Sequence, residues 1–203
     1  MRTLLIEPTP AGGASLAPDL DAAGHQVVRC HPADGPSFPC AGLTHEGCPL
    51  DDGQPIDVAI AVRDEALPGP TADEAAVTCA IRVGLPVVVL GAEGPNPFAQ
   101  WAESCHDAAD LADACDRAIA TVAERRAAPL RVEVARVLAL EGIDAGDFDV
   151  EVRREGTTAQ VMVRTQEPLP IAVANTIATR LHAVDQHGAW PTTKLSVSVG
   201  LLA

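Results

Sequence analysis

Five sulfur and nitrogen side chains that can bind a metal ion cluster near the amino terminus, in the stretch RCHPADGPSFPCAGLTHEGCPLDDG at 29–53. They are Cys30, His31, Cys40, His45 and Cys48. The stretch is rich in Pro and Gly and almost lacks aliphatic side chains, so hydrophobic packing alone does not explain it. Clustered cysteines in a reducing compartment bind metal or do redox chemistry more often than they form structural disulfides. The sequence therefore predicts a metal site in this loop.

The pattern leaves the metal open between zinc and an iron–sulfur cluster. The spacing C-x9-C-x7-C lacks the paired C-x2-C knuckles that are typical of zinc fingers. Three widely spaced cysteines also suit an iron–sulfur cluster, and Cys48-Pro49 is similar to the Cys-Pro ending of ferredoxin motifs. A disulfide or redox switch is the main alternative to a metal, and thiols with no shared role are the other.

A fourth ligand is expected from His31, from His45 or from the pair Cys105-His106. That pair precedes a predicted helix, where a fifth strand should end. Strands two and five of the predicted sheet are about 19 Å apart at 4.8 Å per strand. Ten residues span roughly 35 Å when extended, so the loop is long enough to cross the sheet.

Two further cysteines lie on predicted apolar helix faces, where a buried thiol acts as a small hydrophobic group. They are Cys79 and Cys115. Both are interpreted as structural. Cys79 is the more plausible exception, because its helix could pack beneath the loop.

The first half of the chain alternates strand and helix signals. Buried strands are predicted from the apolar runs TLLIEP, HQVVRC, DVAIAVR and LPVVVLG. Helices are predicted in SLAPDLDAAG, TADEAAVTCAIRVG and DAADLADACDRAIATVAERR. Thr71 with Glu74 is a capping box. The predicted face of the second helix holds Ala75, Ala76, Cys79, Ala80 and Val83. This order predicts an α/β domain over 1–126, a doubly wound parallel sheet with an inserted Cys/His loop at 29–55.

In layout, residues 1–125 resemble a response-regulator receiver domain. The late strand in GLPVVVLGAEG carries part of the likeness. The resemblance implies a flavodoxin-like scaffold without phosphotransfer, since the phosphoacceptor aspartate would fall near Val62 and the hydroxyl residue after the fourth strand is Gly91. No lysine ends a fifth strand.

The pattern changes after a linker predicted at Ala127 to Pro129. The sequence over 128–203 predicts a small α+β module in the order α-β-β-α-β. Its elements are a helix from Val132 to Leu140, a hairpin in FDVEVRREGTTAQVMVR, a helix in PIAVANTIATRLHAVDQHG and a strand in TKLSVSVGLL. Ile171, Ala174, Ile177, Ala178 and Leu181 are expected on one face of the second helix. Phe148 to Val199 resembles the alkaline-shock protein family in this layout and in KLSVSV. That family implies no catalytic residues.

The composition excludes several classes of protein. The formal charge of the 203 residues is −14, which repels nucleic-acid phosphates, and the aromatic content of 2% offers little surface for stacking on bases. The apolar run in MRTLLIEPTP is too short for a signal-peptide core, and no stretch approaches a membrane span. We therefore expect a cytoplasmic protein that binds no nucleic acid.

These observations favour a non-enzymatic regulatory or adaptor protein. Its cysteine-held metal would sense redox state, stress or metal supply, or order the loop, and its second module would bind a protein partner. One alternative is an enzyme that uses Asp64, Glu93 and Cys105 at the sheet edge for redox chemistry or metal-assisted hydrolysis. Another is an assembly module that forms a homodimer through the KLSVSV strand.

Overall fold

The chain folds into two compact units, Met1–Thr121 and Val122–Ala203. The structure is a computed structural model and describes residues 1–7, 15–31, 40–44, 47–63, 67–91, 94–144, 146–155, 158–188 and 194–202.

The first unit contains a five-stranded, all-parallel sheet with the strand order β2-β1-β3-β4-β5. Its strands are β1 (Arg2–Ile6), β2 (Gln26–Arg29), β3 (Val58–Arg63), β4 (Val87–Gly91) and β5 (Glu103–Cys105). Its helices are α1 (Ala17–Ala22), α2 (Ala75–Arg82) and the first part of α3 (Leu111–Leu140). The prediction of a doubly wound, flavodoxin-like α/β fold is confirmed.

Each face of this sheet has its own hydrophobic core, because successive side chains of a strand point to opposite faces. One core joins the sheet to α2, and its members include Leu4, Ala59, Val87, Val77, Ala80, Ile56, Phe98 and Cys30. The other joins the sheet to α1 and α3, and its members include Leu5, Ile60, Val88, Leu20, Ala114, Cys105 and Cys115. The two faces therefore hold different cysteines.

Non-helical segments cover much of the face that carries α2. In the described residues between β2 and β3, the only helical turn is the 3₁₀ turn Ala41–Leu43. Ile56 is buried and Leu50 packs beside it on the same core. Between β4 and β5, Phe98 fills the core from a turn in which its N–H donates to Asn96 Oδ1 at 2.8 Å. The cysteine loop thus occupies the place of a helix.

Arg2 anchors the end of the cysteine loop to the first strand. Its guanidinium forms an ion pair of 2.6 Å with Asp52 and donates to the Gln54 carbonyl at 2.7 Å. Its backbone N–H donates to the Asp57 carboxylate at 2.8 Å. These contacts fix the chain where it enters β3.

The capping box of α2 is confirmed, whereas the predicted apolar face of α2 is partly wrong. Thr71 N–H donates to Glu74 Oε2 at 2.7 Å, and the reciprocal bond to the Thr71 side chain is present. The buried residues of the helix are Val77 and Ala80, and Val83 is exposed. The capping turn is 3₁₀ and α2 begins at Ala75, and the residues that α2 packs into the core are centred on Val77 and Ala80.

The linker predicted at Ala127–Pro129 is wrong, because α3 is one helix from Leu111 to Leu140. Ala127 and Leu130 are buried in the core of the second unit, and this burial favours the helix despite Pro129. Proline removes one backbone donor from the interior of the helix. The two units divide between Thr121 and Val122, inside this helix.

The second unit has the predicted order α-β-β-α-β. The end of α3 is followed by β6 (Phe148–Glu155), β7 (Thr158–Thr165), α4 (Ile171–Gln186) and β8 (Lys194–Leu201). The sheet order is β6-β7-β8, with β6 antiparallel and β8 parallel to β7. The predicted hairpin is therefore confirmed. One sheet face packs on α3 and α4, and its buried residues include Val150, Val161, Val163, Val173, Ile177 and Leu181.

The predicted face of α4 is correct at Ile177 and Leu181 and wrong at its first residue. Ile171 is 80% exposed, and Val173 is buried instead. Ile171 opens the helix directly after the cap residue Pro170. The buried face of α4 therefore begins at Val173 and not at Ile171.

Glu133 joins α3 to α4 within the second unit. Its carboxylate lies 2.6 Å from the guanidinium of Arg180 and 2.6 Å from that of Arg136. The hydrogen bonds from Arg136 and Arg180 lower the pKa of Glu133 to about 2. A pKa below that of the unfolded chain means that the carboxylate stabilises the fold above about pH 4.3, and that this contribution is lost as the pH falls toward 2.

We therefore expect Glu133→Gln to unfold at lower urea concentration than the wild type at pH 6, and the two midpoints to converge as the pH falls from 5 to about 2. Urea titrations across that range measure the difference between the two midpoints. A difference that is independent of pH would contradict the assigned role of the ionised carboxylate.

Candidate metal centre

Cys30 sits where the edge strand β2 ends and the loop begins. Its side chain is buried, at 6% exposure, in the core beneath α2. Its carbonyl accepts a hydrogen bond of 2.7 Å from the Ala41 N–H. This bond brings Cys40, the residue before Ala41, back to Cys30 across the loop.

Gly42 lets Cys40 and Cys48 approach each other. A Cβ atom placed on Gly42 would lie 3.7 Å from Cys40 Sγ and 3.2 Å from Cys48 Cβ. Atoms of Cys40 and Cys48 therefore both lie within 4 Å of the Cβ position of Gly42. Cys48 in turn begins a turn in which its carbonyl accepts from the Asp51 N–H at 2.9 Å.

Cys79 on α2 is the fourth thiol of this group. Burial raises the pKa of Cys30 to about 12, and the negative charges of Cys48, Cys40 and Cys79 raise it further. These electrostatic contributions mark the three other thiols as neighbours of Cys30. We call Cys30, Cys40, Cys48 and Cys79 the cysteine site.

The raised pKa of Cys30 has a direct chemical consequence. A pKa near 12 keeps the Cys30 thiol protonated at neutral pH. A bound cation reverses this balance, because it stabilises thiolates and deprotonates a coordinating thiol. Zinc and iron–sulfur clusters both take four thiolate ligands. The donor chemistry of the cysteine site therefore fits either group.

The four thiols are neighbours without being arranged as ligands. All six cysteines are free thiols. Among the residues that the structure describes, no group of three or more His, Cys, Asp or Glu side chains is positioned to hold a metal ion. Cys30 and Cys79 are fixed by the sheet and by α2, so closing the site would require movement of Cys40 and Cys48.

The other predicted ligands are distributed as follows. His31 is buried beside Cys30, at 7% exposure, and His45 lies outside the described residues. Cys105 is buried on the opposite sheet face, in the same core as Cys115, and its thiol donates to the Asp107 carbonyl at 3.0 Å. His106 is exposed. Among the described residues, Cys105 lies in a different core from Cys30, on the opposite face of the sheet.

The sequence analysis interpreted Cys79 as structural and named its helix as one that could pack beneath the loop, whereas the structure adds an electrostatic effect of Cys79 on Cys30. Helical periodicity assigns a cysteine to a face, but it does not say which loop covers that face. The available signal was the position of Cys79 on a helix that could pack beneath the loop.

A buried ion pair closes the carboxyl edge of the sheet next to α2. Arg63 Nε lies 2.6 Å from Glu74 Oε1, and each side chain is 6% exposed. The Arg63 guanidinium also donates to the carbonyls of Leu67, Gly69 and Pro95 at 3.0–3.3 Å. One side chain therefore joins the end of β3, the approach to α2 and the segment before Phe98.

The carboxylates predicted for an enzymatic site at this edge cannot be placed against that ion pair. Asp64, Glu65 and Glu93 lie outside the described residues.

Comparisons of the chain with protein-family models and with curated proteins gave no match. The likenesses to receiver domains and to alkaline-shock proteins remain predictions from layout. In the described part of the chain, no helix has both the length and the apolar character needed to cross a membrane.

Proposed function

We propose that this protein is a non-enzymatic regulatory or adaptor protein whose first unit binds a metal through Cys30, Cys40, Cys48 and Cys79. The observation that carries the proposal is the return of Cys40 and Cys48 toward Cys30 across the loop, with Cys79 of α2 acting on the same Cys30 thiol. Three of these four were predicted as ligands, and Cys79 replaces the histidines and the Cys105-His106 pair as the fourth.

A site of four thiolates favours a structural, sensing or electron-transferring role. Catalytic zinc sites keep one coordination position for water or substrate, whereas four protein ligands close the shell. Zinc would bind the four sulfurs directly, and an iron–sulfur cluster would use them as its four anchoring thiolates. Both demand free thiols, which suits a reducing compartment such as the cytoplasm.

Redox sensing follows from the proximity of Cys40 to Cys48. A peroxide would take two electrons from the two thiolates, form a disulfide between their sulfurs, and be reduced to two molecules of water with the uptake of two protons. The metal would lose two ligands in that step. The loop would then lose its connection to Cys30 and Cys79.

The likeness of the first unit to receiver domains supports a regulatory scaffold without phosphotransfer. Val62, the position of the expected phosphoacceptor, is part of β3, and the neighbouring Arg63 is engaged in the buried ion pair. We therefore place the signal of this unit in the cysteine site.

Single alanine substitutions test the ligand set. We expect Cys30→Ala, Cys40→Ala, Cys48→Ala and Cys79→Ala each to lower the metal bound per chain at least tenfold after gel filtration. Cys115→Ala is the matched control, because it removes a buried thiol of the same unit on the other sheet face. Equal metal content in the control and the Cys79 variant would overturn the assignment of the fourth ligand.

Gly42→Ala tests the approach of Cys40 to Cys48. The added Cβ would lie 3.2 Å from Cys48 Cβ, closer than ordinary van der Waals contact. We expect the variant to bind zinc about tenfold more weakly in competition with a chromogenic chelator, a cost of about 1.4 kcal/mol. Gly69→Ala is the control, because nothing lies within 4 Å of its Cβ position. Unchanged affinity in both variants would contradict the described packing.

The edge strand β8 favours homodimerisation as a second function. It pairs with β7 on one side and is an edge of the three-stranded sheet. Leu201 near its end is exposed. Unpaired strand edges readily add another strand, so a second copy or a protein partner could extend this sheet. A monomeric mass by sedimentation at high concentration would rule out the homodimer.

A further inference from the structure

The second unit contains a cavity that none of the preceding roles uses. It lies between α3, α4 and the sheet and has a volume of about 110 Å³. Its floor is apolar and includes Leu130, Val161, Val184 and Leu195. Arg125, Arg126 and Asp185 border it as well, so charged groups meet apolar ones at one opening.

Arg126, one of the residues that line the cavity, has a buried donor without a partner in the described part of the chain. Its Nε atom is buried and has no hydrogen-bond partner among the described residues. Burial lowers the pKa of the Arg126 guanidinium, the charge of Arg154 lowers it further, and Asp185 raises it. A buried donor that lacks a partner is costly. An anion beside the guanidinium would offset part of that cost by compensating the buried charge.

The charge around the cavity contrasts with the charge of the chain. The whole protein carries −14, yet Arg126 lies near Arg154 and next to Arg125, with Asp185 as the acidic neighbour that acts on it. The local charge is positive, which favours one negative charge on a ligand. A planar guanidinium matches a carboxylate in geometry as well as in charge.

We propose that this cavity binds a short aliphatic carboxylate, with its carboxylate on Arg126 and its chain on the apolar floor. An engineered apolar cavity of about 150 Å³ admits benzene, so about 110 Å³ suits a chain of roughly four carbons. A bare phosphate would leave the apolar lining without contacts. The proposal is independent of the cysteine site.

Titration of the full-length protein with pentanoate, 1-pentanol and pentylamine tests the proposal by NMR. We expect saturable shifts of the Leu130, Val161, Val184 and Leu195 signals with pentanoate, at a Kd on the order of 1 mM. Pentanol should bind at least tenfold more weakly, and pentylamine more weakly still. Equal affinity for pentanol, or no saturable shift up to about 50 mM pentanoate, would overturn the proposal.

Two variants separate the anion contact from the apolar cavity. Arg126→Gln should weaken pentanoate binding at least tenfold. Arg131→Gln changes a partly exposed arginine on the same helix that pairs with Glu124, and it should leave pentanoate binding unchanged. Ala159→Leu fills the cavity from β7 and should abolish binding of both pentanoate and pentanol. Undiminished pentanoate binding by Arg126→Gln and Ala159→Leu would overturn the proposal, even if one variant is destabilised.

Discussion

If the cysteine site binds a metal as proposed, its chelation is expected to lower the melting temperature of the first unit by about 10–20 °C. A ligand at 1,000 times its Kd stabilises the folded state by about 4 kcal/mol, and each kcal/mol moves the melting temperature of a domain of this size by roughly 3–5 °C. The loss should concern the first unit because all four cysteines lie in Met1–Thr121. Calorimetry before and after anaerobic chelation measures the change.

Two controls make the metal-removal result interpretable. Re-addition of zinc, or anaerobic reconstitution with iron and sulfide, should restore the original transition if loss of metal caused the shift. The chelator should have no effect on a Cys30→Ala protein, which begins without the metal. An equal shift in that variant would show that the chelator destabilises the fold by another route.

Removal of one partner of the Arg63–Glu74 pair is expected to destabilise the first unit by about 3–5 kcal/mol, since it leaves a buried charge without compensation. Glu74→Gln is the informative change. A glutamine still accepts from the Thr71 N–H, so the capping box survives while the charge is lost. Guanidinium titration of the variant gives the change in the free energy of unfolding.

The double variant Arg63→Met/Glu74→Leu separates the ion pair from the burial of its two side chains. Apolar residues of similar volume often replace a buried ion pair with little loss of stability. We expect the double variant to be more stable than Glu74→Gln alone. In the double variant the three carbonyls that accept from Arg63 lose a donor, and the Thr71 N–H loses its acceptor on Glu74, so some destabilisation relative to the wild type remains. A fully stable Glu74→Gln protein would refute a structural role for the charge pair.

The sheet of the first unit was predictable because its strands are continuous apolar runs separated by turn signals. Burial on both faces leaves little choice of residue in such strands, as in Val87–Gly91. The capping box of Thr71 and Glu74 was equally predictable, since it depends on residues three positions apart. Local patterns of this kind can be recognised from the sequence alone.

The features that local patterns do not reveal depend on contacts between distant segments. The helix continues through Pro129 because Ala127 and Leu130 are buried in the second core, which outweighs the local cost of proline. Cys79 acts on the Cys30 thiol from α2, which covers the same sheet face as the loop. The spacing of residues along the chain reveals neither of these two contacts.

Elemental analysis and a visible spectrum of the protein purified without oxygen test the central claim most directly. The cysteine site predicts one zinc per chain in a colourless protein, or iron with acid-labile sulfide and a brown colour. Either result should disappear in Cys79→Ala and persist in Cys115→Ala. Protein that emerges free of metal and takes up neither zinc nor iron with sulfide would contradict the claim.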